Sequence, residues 1–458
     1  MKQFLPVLAF TALSASAQSV APAGGGSYLP TPGACLTPTQ HARIDSMLDT
    51  NIRTLTQRGI LPGPANRPAT VPLSWPLRQA AGFSYNSIYG ISNFVDRNAA
   101  YPNQLLDWNC GTRTYDTAAG YNHGGLDVFL WPFDMNMMAS GQAEIVAATA
   151  GVIIAKSDGN FDMNCAFNSA NWNAVYVQNA DGSVCWYGHM KSGSLTTKAV
   201  GASVAQGEFL GTVGSSGSST GPHLHFEVHA ANGTVIDPYA GTCSPGATSW
   251  ATQKPYYEPT INTLMTHSAP PVLATCPAPH TPNTSSNFAP GARIYLAAYY
   301  HDQQAGQLTT YTVYRPDNTV FATWTHSITP AHYAASYWYW NYVLPTNAPV
   351  GNWRFTATFQ GSTVTQNFTV GIPSATAAAS RQAAFTLYPN PARRQVTLEL
   401  AAPPVAGAVV VRNQLGQVVS QRLLTTHKLE LALPEVPGLY LVTLPTTYGP
   451  VTQKLLVE

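Results

Sequence analysis

Three short segments of this 458-residue chain carry side chains suited to holding a divalent metal or moving protons. In Tyr121-Asn-His-Gly-Gly-Leu-Asp-Val-Phe-Leu130, His123 and Asp127 stand four residues apart. That spacing turns an imidazole and a carboxylate to the same side of a helix or of a strand. The Gly pair argues against a helix, and Asp-Val-Phe-Leu reads as strand entry. In Gly221-Pro-His-Leu-His-Phe-Glu-Val-His229, strict alternation puts His223, His225, Glu227 and His229 on one strand face, with Leu224, Phe226 and Val228 on the other. Two imidazoles two apart can reach one cavity, though not necessarily one metal, and such pairs also occur on ordinary exposed strands. Trp186-Tyr-Gly-His-Met190 places His189 where an apolar strand passes into a loop. Alone, His189 reads as a surface or capping residue. Of the chain's 12 histidines, however, His123, His189, His223 and His225 fall in three strand-end motifs, a clustering hard to credit to chance.

Such groups need rigid elements to hold them. From about residue 70 to 260 the pattern is strands and turns, as in Val146–Ile154, Trp172–Gln178 and Ser183–Tyr187. The turn Asn179-Ala-Asp-Gly182 between the last two is a hairpin signal. Short strands with Gly-rich connections indicate a mostly antiparallel sheet. Upstream, residues 18–33 are rich in Ala, Pro, Gly and Ser and read as a disordered leader. One helix follows. Thr37-Pro-Thr-Gln40 has a capping-box outline with Pro at the first helical position; Ile44, Met47, Leu48, Ile52 and Leu55 recur at helical spacing, and Gly59 stops the run. This helix reads as a packing brace or part of a propeptide, with no chemistry of its own.

Downstream, Pro270 to Pro282 reads as a linker. Aromatic strands at short spacing between about residues 288 and 371 suggest a small β-sandwich. Core packing explains those aromatics better than a carbohydrate- or wall-binding surface. A second linker, Ser374 to Ala384, precedes a final block of short alternating strands, again a small β-sandwich.

Charged residues make up only 9% of the chain, with 22 basic against 21 acidic side chains. Neither a net field nor a basic tract is available to attract nucleic acid or anionic lipid, so no nucleic-acid partner is expected. Residues 1–17 read as a signal peptide: Lys2, the apolar Leu5 to Leu13, and the small-residue site Ala15-Ser-Ala17. No other apolar run suffices for a membrane helix, so no transmembrane segment is expected after signal removal. Six cysteines in an exported chain imply disulfides, and pairing of near neighbours is expected: Cys35 with Cys110, Cys165 with Cys185, Cys243 with Cys276. Without Cys-x-x-Cys, a thiolate zinc site has little support.

His-Gly-Gly-Leu-Asp, Tyr-Gly-His and Gly-Ser-Ser-Thr-Gly-Pro-His-Leu-His-Phe-Glu together resemble the lysostaphin/LytM-type zinc peptidases (peptidase family M-23), over roughly residues 115–240. The resemblance implies His123, Asp127 and His225 as Zn2+ ligands and His189 and His223 as catalytic histidines. Such a three-ligand site leaves a fourth position for water, whose proton one histidine can take while the other bonds the oxyanion; which does which stays open. Glu227 and His229 share the front face and could support the ligands from behind, but they read better as solvated positions beyond the cavity, and Gly214–Gly221 as a flexible groove wall. The family cleaves peptide bonds in peptidoglycan or Gly-rich proteins.

From Leu387-Tyr-Pro-Asn-Pro391 onward the chain resembles the C-terminal sorting domain of type IX secretion cargo, which implies secretion machinery as a partner and a secreted or surface-attached product. The expected architecture is mainly β: signal peptide 1–17, leader and helix 18–69, zinc peptidase domain 70–265 (core 115–240), accessory β-sandwich 285–372, linker 373–384 and sorting domain 385–458. The expected function is zinc-dependent endopeptidase action on peptidoglycan stems or cross-bridges. The rivals are a protease for Gly-rich proteins and a non-catalytic wall-binding module.

Overall fold

A computed structural model describes residues 18–31, 33–63, 71–371, 385–400, 408–413, 417–424, 426–433, 436–444 and 451–458. The expected signal peptide and the Ser374–Ala384 linker lie outside those residues. The chain divides into two compact units, 1–370 and 371–458, and is mainly β in both.

At the centre of the larger unit is a seven-stranded antiparallel sheet. Its order is Ser203–Val204, Gly151–Ser157, Ala174–Asn179, Val184–Gly188, His223–His229, Gly125–Leu130 and Tyr89–Asn93. The Asn179–Gly182 turn closes a hairpin as its sequence predicts, with Gly182 at a left-handed φ of 88°. The apolar run Val146–Ile154 is not one strand: it breaks into Ala143–Val146, which joins a separate three-stranded sheet, and Gly151–Ser157. Leu126, Val128, Leu224, Phe226 and Val228 fill the core behind the central sheet.

The leader helix, α1 (Pro38–Gln57), starts on the expected capping box: Gln40 N–H donates to Thr37 Oγ1 at 3.2 Å and Thr37 N–H to Gln40 Oε1 at 2.9 Å. Its Leu48 and Leu55 pack with Trp172, Tyr176 and Trp186 on the front of the central sheet. A second, short helix, α2, spans Asp134–Ala139.

A six-stranded and a four-stranded sheet form the accessory sandwich, whose continuous run of strands starts at Thr260–His267 and which also takes in Gln18–Ser19 and Gly24–Tyr28 from the leader. Tyr311, Trp324, Trp340, Trp353 and Phe355 fill its core, where the aromatic strands point most of their bulk. The outer face of the four-stranded sheet, through Ala297, Tyr299 and Ala335, packs on Phe129, Trp131 and Phe133, which lie at the end of the Gly125–Leu130 strand and just beyond it.

Three expectations need correction. The leader is not wholly disordered, because Gly24–Tyr28 pairs with His332–Val343 as an edge strand of the sandwich. The Pro270–Pro282 stretch is no free linker: Cys276 is bridged to Cys165, and His280 Nε2 lies 2.5 Å from Asp134 Oδ1. The disulfides join Cys110 to Cys243 and Cys165 to Cys276, while Cys35 and Cys185 stay free and buried. Near-neighbour pairing fails because strand order, not sequence distance, brings cysteines together. Loops this long gain most in the chain-entropy account, about 4–5 kcal/mol each.

In the smaller unit, a three-stranded and a four-stranded antiparallel sheet share a core of Phe385, Val396, Leu398, Val411 and Val442. Among the described residues no helix is long and apolar enough to cross a membrane.

Candidate metal centre

The His223–His229 strand lies between Gly125–Leu130 and Val184–Gly188, and its register sets the site. His225 pairs with Asp127 on one side and with Gly188 on the other, so His189 follows directly at the end of the neighbouring strand. His189 then takes a left-handed φ of 57°, a conformation costing a non-glycine residue about 1–3 kcal/mol and retained where the surroundings enforce it. Close packing demands small residues here. A Cβ on Gly125 would lie 2.9 Å from the His225 ring, and one on Gly188 would lie 2.4 Å from the Trp172 ring.

All five predicted site residues come together. His225 Nδ1 is 2.7 Å and His123 Nε2 is 3.2 Å from the Asp127 carboxylate, and those two nitrogens are 3.3 Å apart. His223 Nε2 lies 3.7 Å from Asp127, and the His189 and His223 rings are 4.3 Å apart. His123, His189 and His225 are fully buried, Asp127 nearly so, and the His223 side chain retains 13% exposure.

Each inner imidazole is fixed from behind. His123 Nδ1–H donates to the Phe94 carbonyl at 2.7 Å, and His189 Nδ1–H to the Ser216 carbonyl at 2.6 Å. His225 Nε2–H donates to Glu227 Oε1 at 2.7 Å, and Asn93 Nδ2–H to Asp127 Oδ2 at 3.0 Å. These partners select the tautomers that turn His123 Nε2, His189 Nε2 and His225 Nδ1 inward as lone pairs. Burial raises the Asp127 carboxyl, but His123 and His225 more than offset it and hold it well below the usual carboxylate range. Burial, and then the neighbouring His223, lower His189 below the ordinary imidazole value.

Three acceptors converging in a dry space need extra protons or a cation between them. The donor set of two imidazoles and one carboxylate suits a divalent metal such as zinc, and His189 Nε2 is a buried nitrogen without a hydrogen-bond partner beside it. The residues therefore fit the metal that the sequence resemblance implies.

Several site residues escaped sequence reasoning. Glu227 and His229 are not solvated. Both are buried, with His229 Nε2 2.6 Å from Glu227 Oε2, because α1 covers this face and His41 approaches Glu227 at 3.7 Å. The Gly214–Gly221 wall is likewise fixed, with Ser215, Ser216, Ser218 and Ser219 buried and the loop bridged to Met163 and Ala166. Asn93 carries no local signal at all. The largest surprise is Cys35: its Sγ lies within 4.8 Å of donor atoms of Asp127 and His225, and equally of His189 and His223.

Two family models match the chain: "Peptidase family M23" over residues 134–238 and "Secretion system C-terminal sorting domain" over residues 386–458. The first match covers His189, His223 and His225 but begins after His123 and Asp127. Among curated proteins, the chain is 33% identical over 98 residues to the peptidoglycan DD-endopeptidase ShyC of Vibrio cholerae, covering 21% of this chain and 22% of that one. It is 44% identical over 66 residues to the DD-carboxypeptidase/endopeptidase Mpg of Neisseria meningitidis, covering 14% of each. The chain thus spans about a fifth or less of the length of these relatives. Similar solved structures include the catalytic domain of the prophage-encoded M23 protein EnpA from Enterococcus faecalis (TM-score 0.23, 21% identity, 37% of this chain and 96% of that one). Another is the catalytic domain of lysostaphin from Staphylococcus simulans (TM-score 0.20, 24% identity, 35% and 96%).

Proposed function

Because this chain carries a peptidase family M23 domain and a type IX C-terminal sorting domain, we propose that it is an exported zinc endopeptidase acting on peptidoglycan peptides. The sorting domain marks the product as secreted or surface-attached. The observation that carries the reading is the convergence of His123 Nε2, Asp127 and His225 Nδ1 beside His189 and His223.

In this reading His123, Asp127 and His225 hold zinc, which when bound supplies a Lewis acid for the scissile carbonyl and an acidified water near neutral pH. Glu227, Asn93 and the Phe94 carbonyl orient those ligands. His189, kept neutral with Nε2 facing inward, accepts the proton of the attacking water and returns it to the leaving amine. His223, at the more open edge, donates to the developing oxyanion. The Gly-Ser wall at 214–221 suits a thin, extended peptide, and in this structure Thr31 and Ala34 of the leader lie against it. The peptidoglycan relatives favour a wall substrate over a Gly-rich protein.

The test combines metal content with release of new amino termini from purified peptidoglycan and from a Gly-rich protein. His225→Ala should lose both zinc and cleavage; His223→Ala should keep zinc and lose turnover. Wall binding without new amino termini, from wild type and from Cys35→Ser alike, would falsify the enzyme reading and leave a binding module.

A further inference from the structure

On the zinc reading of this site, we propose that Cys35 is a fourth, inhibitory ligand whose thiolate occupies the position a reactive water needs. Its Sγ sits between the two halves of the machinery, within 4.8 Å of donor atoms of Asp127 and His225 on one side and of His189 and His223 on the other. The residue is 3% exposed, its Sγ lies 3.4 Å from Tyr115 Oη and 3.9 Å from the Gly33 carbonyl, and among the described residues His189 Nε2 beside it lacks a hydrogen-bond partner. A catalytic site has no use for a thiol packed between its ligands and its proton-transfer groups. A closed site does: three protein ligands plus thiolate complete a tetrahedral set with no open position. Coordination would release the thiol proton to solvent and displace water.

The other free thiol provides the contrast. Cys185 is fully buried behind the sheet beside Asn179 and within the apolar core, so it packs as a small hydrophobe.

The segment bearing Cys35 is clamped across the groove. Ser218 Oγ donates to the Ala34 carbonyl at 2.7 Å, and Thr220 Oγ1 to the Thr31 carbonyl at 3.0 Å. Gln40 Nε2 donates to the Ser169 and Ala170 carbonyls at 3.1 and 3.0 Å. The leader thereby uses the Gly-Ser wall, where an extended peptide substrate would lie. Gly24–Tyr28 anchors it upstream and α1 downstream, so the thiol is delivered at the high effective concentration of a short tether, on the order of millimolar or above. The leader holds the exported chain latent, and its withdrawal reopens the fourth position.

Cobalt(II) loading of the full chain tests this without relying on activity alone. Wild type should show a near-ultraviolet sulfur-to-cobalt charge-transfer band together with visible d–d bands. Cys35→Ser and Cys35→Ala should lose the first and keep the second, which also shows that the site is folded. Zinc-loaded Cys35→Ser should release amino termini from peptidoglycan about 10- to 100-fold faster than wild type, the factor by which a mostly closed population suppresses turnover. Wild-type d–d bands without the sulfur band would overturn the role of Cys35 and leave the zinc reading standing. The sulfur band with no gain in rate would overturn latency. Absence of d–d bands in every variant would overturn the metal reading itself, and this proposal with it.

Discussion

Two buried aspartates in the larger unit show how surroundings divide structure from chemistry. Asp302, in the sandwich, lies 2.7 Å from Arg113 Nη2 and 2.9 Å from His332 Nε2, and it accepts the Glu258 N–H at 3.0 Å. Its charge is matched by a permanent cation with fixed geometry. Among the described residues Asp127 has no Arg or Lys in its polar contacts, which are imidazoles and the Asn93 amide. The first is a completed ion pair that fastens peptidase and sandwich together. The second is an incomplete donor set. Burial alone does not make a site; a buried carboxylate whose neighbours are lone-pair donors does.

Three measurements distinguish the two carboxylates. Arg113→Ala should destabilise the larger unit by about 3–5 kcal/mol, since it strands a buried carboxylate, while leaving zinc affinity unchanged. Urea unfolding followed by tryptophan fluorescence reads this cleanly, because all 10 tryptophans lie within residues 1–370. A cost under about 1 kcal/mol would place Asp302 among surface-like pairs. Second, zinc at a hundredfold over its Kd should stabilise the wild type by about 2.7 kcal/mol. Asp302→Asn should retain that increment and Asp127→Ala should lose it, as judged by thermal unfolding with and without metal; the opposite pattern would invert the assignment. The third concerns acid. Burial raises the Asp302 carboxyl, but Arg113 and His332 hold it down at about 2. The unfolded chain therefore takes up this proton first. The stabilisation is fully present above about pH 4, and about 2 kcal/mol is lost as the pH falls towards 2. Asp302→Asn should flatten that segment of the stability–pH curve, and an unchanged slope would contradict the shift.

How much of this was legible in the sequence follows from the range of each interaction. Alternation in His223–His229 placed three imidazoles and Glu227 on one face because strand periodicity is local. The capping box of α1 was legible for the same reason. The burial of Glu227 and His229 was not, because the element covering them comes from residues 36–57, far upstream. Asn93, the disulfide partners and Cys35 meet their neighbours only through sheet order, and nothing within a few residues of Cys35 marks it as facing histidines more than 150 positions away. The absence of Cys-x-x-Cys argued against a thiolate at the metal. It excluded only the local kind.

The Cys165–Cys276 bridge fixes an order of events as well as a shape. Cys165 lies in the loop whose Met163 and Ala166 bridge to Ser215 and Ser219, so this bond ties the groove wall to the segment after the peptidase sheet. Reducing compartments keep such thiols apart, and oxidising ones join them. The wall is therefore sealed only after the chain has left the cytosol.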